Sequence, residues 1–254
     1  MRIVLLRHAE TDRNAADEFQ GQADLPLNEA GIRQARDIAP GLRAGAWAAV
    51  YSSPLTRAVQ TASYATSRLG LPCHRVDGLR ERHLGELDGL HRATFARRHP
   101  DALRRLLVDP DYAPPGGETG RAVLTRAARA LAGIARAERE SEGAVLVVTH
   151  GGVLNLLTSA LRGPAREPRT LVGTCAAACL DVRWPGGGGP HARLLALDVA
   201  VRDCETGHDA DATSGPAVDL DVLASAPHHA PPSIDTPTRT HTHTHTHTEK
   251  ALHP

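Results

Sequence analysis

Short apolar blocks alternate with polar turns along the chain as far as about Val201, and beyond that point large apolar residues become sparse. Arg2–Leu6 is a run of branched aliphatic residues with charge on either side, which predicts a buried strand. Residues 28–44 place Ile32, Ala35, Ile38, Ala39 and Leu42 on one helical face behind Asn28 as a cap, and so predict a helix. Ala48–Tyr51 predicts a second strand ending at Ser52-Ser53-Pro54, followed by a helix over 55–69 with Pro54 at its first turn. Val123, Ala127, Leu131 and Ile134 mark a long helix after Gly116-Gly117. Ala144–Val148 is a strongly apolar strand, and Val153, Leu154, Leu157 and Leu161 mark the helix after it. Two late runs, 176–182 and 194–201, flank Gly186–Gly189 and predict a hairpin. Strands alternating with helices predict an α/β class fold, a three-layer α/β/α sandwich with a mostly parallel central sheet.

The change after Val201 sets a domain boundary. Residues 1–202 read as one catalytic-size domain, and 203–254 as a low-complexity, disordered tail that cannot bury enough surface to offset its chain entropy. Thr-His repeats from Thr240 to Thr248, as an expanded CA dinucleotide would encode. Such alternating histidines bind metal weakly at most, and a solvated repeat is the simpler reading.

Composition narrows the partners. Lys+Arg and Asp+Glu both number 29, so the chain lacks the cationic excess that drives nucleic-acid or anionic-membrane binding. No stretch approaches the roughly 20 apolar residues of a membrane-spanning helix. The opening MRIVLLRHAE is too short for a signal segment, so the expected compartment is the cytoplasm. Cys73, Cys175, Cys179 and Cys204 form no CxxC pair, which argues against a zinc site or a disulfide scaffold and fits a reducing compartment.

In a parallel sheet, sites form beyond the carboxyl ends of the strands. The first strand ends at Arg7-His8, the second at Ser52-Ser53-Pro54 with Arg57 a turn later, and the strand 144–148 at Thr149-His150-Gly151. Two arginines and two histidines are thus delivered to one rim. Core packing would not gather such cations there, whereas a dianionic phosphoryl group would be gripped by them.

These residues also carry a resemblance. LLRHAETDRN at 5–14 resembles the Arg-His-Gly-Glu signature of the histidine phosphatase superfamily, which includes cofactor-dependent phosphoglycerate mutases and small phosphatases. FQGQADLPLNEAGIRQA at 19–35, SSPLTRAVQTA at 52–62, ERHLGELDG at 81–89, PPGGET at 114–119 and VVTHGG at 147–152 follow in the family's order. The resemblance covers about 1–200 and implies a phosphoglycerate mutase-like fold. It implies that His8 is the nucleophile, that Arg7, Asn14, Arg57 and His150 hold the phosphoryl oxygens, and that Glu81 is the proton donor and later the base. Gln20 and Gly21 fall where related mutases contact substrate, and Gly151 lets the backbone approach the phosphate.

The chemistry fits these types. An imidazole attacks phosphorus only when neutral, so a partner must fix its tautomer. Arg7, Arg57 and a protonated His150 would supply positive charge without a metal, and phosphoryl transfer needs little beyond placement and charge. A carboxylic acid can protonate the leaving oxygen and then activate water, and a nearby phosphate would favour its protonated form. Glu86, Glu10 and Glu18 compete with Glu81 for that role, and His83 reads as structural. Asn14, Gln20 and Gly21 have turn roles as competitors. Ala9 stands where relatives have Gly, which requires negative φ there. Thr119 replaces the commoner Ser, and Arg121-Ala122 predict a looser helix start.

The expected activity is hydrolysis of a small phosphomonoester through a phosphohistidine, with no cofactor. The alternative is a phosphoglycerate mutase, which would need 2,3-bisphosphoglycerate. Mutases of the superfamily carry a longer segment with Lys and paired Arg after the ERH loop. Residues 90–115 are shorter and lack lysine, but Arg97-Arg98 and Arg104-Arg105 could grip a second anion or simply face solvent. A non-catalytic phosphohistidine reader would have lost the nucleophile or the acid, and neither is missing. The tail as a partner-binding appendage is a further reading. Oligomeric state is not legible.

Overall fold

A strand covered on both faces should be apolar at every interior position, and Ile3 to Leu6 are all buried within the strand Arg2–Arg7 (β1). The computed structural model describes residues 1–163, 172–205 and 216–225. After β1 come Asp12–Ala15 (α1), Glu29–Ile38 (α2), Trp47–Ser52 (β2), Thr56–Leu69 (α3) and Cys73–Arg75 (β3). Arg92–Arg98 (α4), Pro100–Val108 (α5), Gly120–Ala137 (α6), Ala144–Thr149 (β4) and Gly151–Arg162 (α7) follow. The chain continues through Ala177–Arg183 (β5), His191–Val199 (β6), Val201–Glu205 (α8), Val218–Asp219 (β7) and Leu220–Ala224 (α9).

Among the described residues the strands form one sheet in the order β3-β2-β4-β1-β5-β6-β7. The first four run parallel, and β5, β6 and β7 add an antiparallel flank. Alternate residues of each strand face opposite layers. Ile3, Leu5, Val145 and Val147 pack with Val123, Leu131, Val153 and Leu157 of α6 and α7. Val4, Leu6, Leu146 and Val148 pack with Ala58, Ala62 and Ala65 of α3 on the other side. This is the expected α/β/α sandwich.

Register places the site. Arg7 pairs with Thr149 across β1 and β4, and Ser52 with Val148 across β2 and β4. The ladder continues one step further, since the His8 amide donates to Thr149 O at 2.9 Å and the Ser53 amide to Val148 O at 2.9 Å. His8, Ser53 and His150 therefore leave the sheet side by side.

Several details differ from the sequence reading. The helix expected over 28–44 ends at Ile38, because Pro40 has no N–H to donate, and Ala39–Gly41 tightens into a 3-10 turn. The late strand stops at Val199, and Val201 opens α8 instead. The domain does not stop at 202. Val218 pairs with Ala192 and Asp219 with His191 at the sheet edge, while Leu220 is buried in the core beneath α6. The rest of the proposed tail, including the Thr-His repeat, lies outside the described residues.

The cysteine reading also needs correction. Cys179 on β5 and Cys204 on α8 are joined as a disulfide, with Cα atoms 5.8 Å apart. Their separation of 25 in sequence gave no hint that strand and helix abut. The argument from scattered thiols to a reducing compartment therefore falls away. No described helix is long and apolar enough to cross a membrane.

Candidate active site

His8 leaves the end of β1 almost completely buried, with Nδ1 2.7 Å from the carbonyl oxygen of Ala9. A carbonyl only accepts, so Nδ1 carries the hydrogen and Nε2 keeps its lone pair. Ala9 is held in turn by Thr61 Oγ1, which accepts its amide at 3.0 Å. Positive φ among described non-glycine residues is confined to Asp17, Cys175 and Asp198, so Ala9 meets the condition its methyl imposes.

Arg57 lies on the first turn of α3 and is fully buried. Its Nε is 3.3 Å from His8 Nε2, while Nη1 donates to Ala23 O and Nη2 to Gly21 O, each at 2.8 Å. Burial lowers its pKa to about 10, which leaves it charged at neutral pH. Arg7 donates Nη1 to Val172 O at 2.7 Å, and its Nε is buried without a partner. The guanidinium lies against Gly151, where an added Cβ would sit 3.2 Å from Arg7 Nε.

His150 is fully buried, and its ring centroid is 5.1 Å from that of His8. Its Nε2 is 2.7 Å from Ser53 Oγ, and its Nδ1 has no partner. Ser53 Oγ already accepts the Leu55 amide at 3.3 Å. Where that hydroxyl gives its hydrogen to His150 Nε2, the ring carries its own hydrogen on Nδ1 as a free buried donor. Burial, then Arg57 and Arg7, hold the His8 imidazole well below its usual value, and burial, then Arg57 and His8, do the same for His150. The expected protonated His150 refers to the site holding a phosphoryl dianion. In the free site it is neutral, because an imidazolium would be desolvated beside arginines.

Glu81 is the carboxylate of this corner. Its Oε1 accepts the Arg82 amide at 2.7 Å, and its Oε2 accepts the Gly152 amide at 2.9 Å. Its charge offsets part of the burial that depresses Arg7 and Arg57, so the three share one pocket. The competitors are occupied or turned away. Glu10 Oε1 accepts Asn28 Nδ2 at 2.9 Å beside the α2 cap, Glu18 faces Arg13 at 3.8 Å, and Glu86 is exposed. Gly152 was missed in the sequence, although a Cβ there would lie 2.2 Å from Glu81 Oε1.

The remaining candidates line the approach. Asn14 closes a capping box on α1, its Oδ1 3.2 Å from the Thr11 amide. Thr11 Oγ1 lies 2.8 Å from Gln20 Oε1, and Gln20 Nε2 is buried with no partner. Gly21 acts through its backbone, holding Arg57 by its carbonyl and donating its amide to Asp88 Oδ1 at 3.2 Å. His83 is exposed, and its Nδ1 accepts the Gly85 amide at 3.3 Å. Thr119 caps α6 by accepting the Ala122 amide at 3.1 Å, so that helix start is firmer than expected. Arg97, Arg98, Arg104 and Arg105 line the exposed side of α4 and α5, with Arg104 near Asp101 at 3.7 Å and Arg105 near Asp109 at 3.4 Å.

A family model described as Histidine phosphatase superfamily (branch 1) matches residues 3–195. A metal-independent phosphoserine phosphatase of Arabidopsis thaliana is 40% identical over 159 residues, which is 61% of this chain and 66% of that protein. A glucosyl-3-phosphoglycerate phosphatase of Mycobacterium tuberculosis is 37% identical over 166 residues, covering 63% of this chain and 74% of that one. The solved structure of a mycobacterial glucosyl-3-phosphoglycerate phosphatase complexed with VO3 superposes with a TM-score of 0.68 at 31% identity, covering 78% of this chain and 99% of the other.

Proposed function

The chain belongs to the histidine phosphatase superfamily (branch 1), and from that premise we propose that it hydrolyses small phosphomonoesters by passing the phosphoryl group through His8 Nε2. Nε2 attacks phosphorus as the bond to the ester oxygen breaks. Arg7 and Arg57 take the non-bridging oxygens, joined by His150 Nδ1–H and Gln20 Nε2, and the Asn14 amide group lies at the same approach. Glu81 gives its proton to the leaving alkoxide. It then takes a proton from water as that water attacks phosphorus and the N–P bond breaks. Protons balance over the two steps, and the enzyme returns to its starting state.

One observation carries this reading. The Ala9 carbonyl occupies one ring nitrogen of His8 and leaves the lone pair on the other, Nε2, which accepts from the buried Arg57 Nε at 3.3 Å. Three donors in the same region, Arg7 Nε, Gln20 Nε2 and His150 Nδ1, are buried without partners. Leaving such groups unmade costs about 1–3 kcal/mol each, and a phosphoryl group would satisfy them.

The test is chemical trapping. Substrate carrying labelled phosphate should leave an alkali-stable, acid-labile label on the wild-type protein and none on His8→Ala. A label that persists in His8→Ala overturns the assignment. A metabolite screen with and without 2,3-bisphosphoglycerate names the substrate class. The reading requires no cofactor, since the arginines carry the charge the reaction needs, so activity should survive EDTA. A phosphoglycerate mutase is not favoured, because the paired arginines of α4 and α5 face solvent or local aspartates.

A further inference from the structure

The loop that carries Glu81 has no regular structure from Glu81 to Leu84, yet its carboxyl group must be held in place. The side chain that organises it stands on the second turn of α6. Arg126 Nη1 donates to Gly78 O at 2.9 Å and to Arg80 O at 2.6 Å. Its Nη2 donates to Glu81 O at 2.9 Å and to Glu118 Oε2 at 2.9 Å, and its Nε to Glu118 Oε1 at 3.0 Å. All five N–H groups of the guanidinium are used. Glu118, from the PPGGET turn, also accepts the His83 amide at 2.8 Å. Burial pushes the Glu118 carboxyl up, but the hydrogen bonds from Arg126 and the His83 amide outweigh it and leave the group below the usual carboxylate range. The helix comes this close because residue 78 is glycine, where a Cβ would lie 2.8 Å from Arg126 O.

We propose that Arg126 and Glu118 form the positioning pair of the proton donor, clamping the backbone on both sides of Glu81 so that its carboxyl group stays at the ester oxygen. Neither residue reaches the phosphoryl group in this scheme. Arg126 fixes three carbonyls on the approach to Glu81, and Glu118 fixes the amide two residues beyond it. Glu81 itself then spans to the Gly152 amide at the start of α7. The inference rests on Glu81 being the acid, and it explains what the PPGGET motif supplies to the reaction.

A leaving-group series separates this role from a merely structural one. Aryl phosphates with acidic phenols need little protonation, whereas alkyl phosphates need it fully. The readout is kcat/KM, which covers the steps through expulsion of the alcohol. For Arg126→Met and Glu118→Gln, kcat/KM should fall about tenfold or more on an alkyl phosphate and less than about threefold on 2,4-dinitrophenyl phosphate. Arg126→Lys should recover part of the alkyl phosphate activity. Equal losses on both substrates, or no loss, overturn the proposal. Should Arg126→Met not fold, Glu118→Gln carries the same test, since it keeps the size but loses the charge and one of the two acceptor oxygens. Glu81→Gln is measured in the same series. A flat response there overturns Glu81 as the acid, and the proposal with it, whereas a steep response there beside flat responses at 126 and 118 overturns the positioning role alone.

Discussion

His8 and Ala9 exchange a contact that decides the chemistry: the Nδ1–H of one residue meets the carbonyl oxygen of the next at 2.7 Å. The imidazole is thereby locked with Nε2 as its nucleophilic atom. Phosphorus should therefore be bonded to Nε2 in the trapped intermediate, and nitrogen–phosphorus coupling in the NMR spectrum of the labelled protein checks it. Phosphate found on Nδ1 would mean that the ring turns over before attack.

Both imidazoles are held well below their usual 6.5 by burial, then by Arg57. In the unfolded chain each takes a proton near that value, so below pH 6.5 the unfolded state binds more protons than the folded one. Stability from these groups is complete above pH 6.5 and is lost as pH falls. By linkage the loss at pH 5.5 has an upper limit of about 1.4 kcal/mol per histidine, set by the unfolded imidazole. A His8→Asn, His150→Asn double variant should show a shallower fall in unfolding free energy between pH 7.5 and 5.5 than the wild type. Parallel curves for the two proteins would show that the rings ionise freely in the fold.

Two glycines make a controlled pair. A methyl at Gly152 would lie 2.2 Å from Glu81 Oε1, whereas one at Gly133, exposed within α6, meets nothing within 4 Å. Gly152→Ala should lower kcat/KM about a hundredfold by displacing the carboxylate, since small misplacements at a reacting centre are costly. Gly133→Ala should leave kcat/KM unchanged and raise stability by about 0.5–1 kcal/mol. Measuring both constants on both variants checks the pair, and an active Gly152→Ala would remove Glu81 from the reaction.

The parts of the site read correctly from sequence are those set by register. Arg7, His8 and His150 follow runs of apolar residues that could only be buried parallel strands, and Arg57 follows the turn that ends β2. What escaped depends on contacts between distant segments. Gly152 matters only because Glu81 from another loop rests on it, and Arg126 only because the carbonyls of Gly78, Arg80 and Glu81 meet it from another segment. Cys73–Arg75 is a three-residue edge strand with no apolar alternation to announce it. The apolar residues at 217–224 are masked because they sit within a long polar stretch, yet Leu220 is buried in the core and Val218 and Leu223 pack against it.

Cys179, paired with Val4 midway along β1, and Cys204 on α8 close a loop of 25 residues. The carbonyl of Cys204 accepts Arg2 Nη1 at 2.5 Å, and Arg2 opens the strand whose other end delivers His8. Six strand residues separate those ends by roughly 20 Å. Joining the two sulfurs restricts the unfolded chain, which for a loop of this size is worth about 3 kcal/mol in the chain-entropy picture. Reduction, or Cys204→Ser, should therefore lower the thermal midpoint by about 5–10 °C. It should leave kcat/KM unchanged at temperatures where both forms are folded, because α8 packs along β1, β5 and β6. Melting curves and initial rates with and without reductant test both halves. A midpoint indifferent to reductant would show that the thiols are not joined in solution, and a rate that follows the reductant would place α8 within reach of the site.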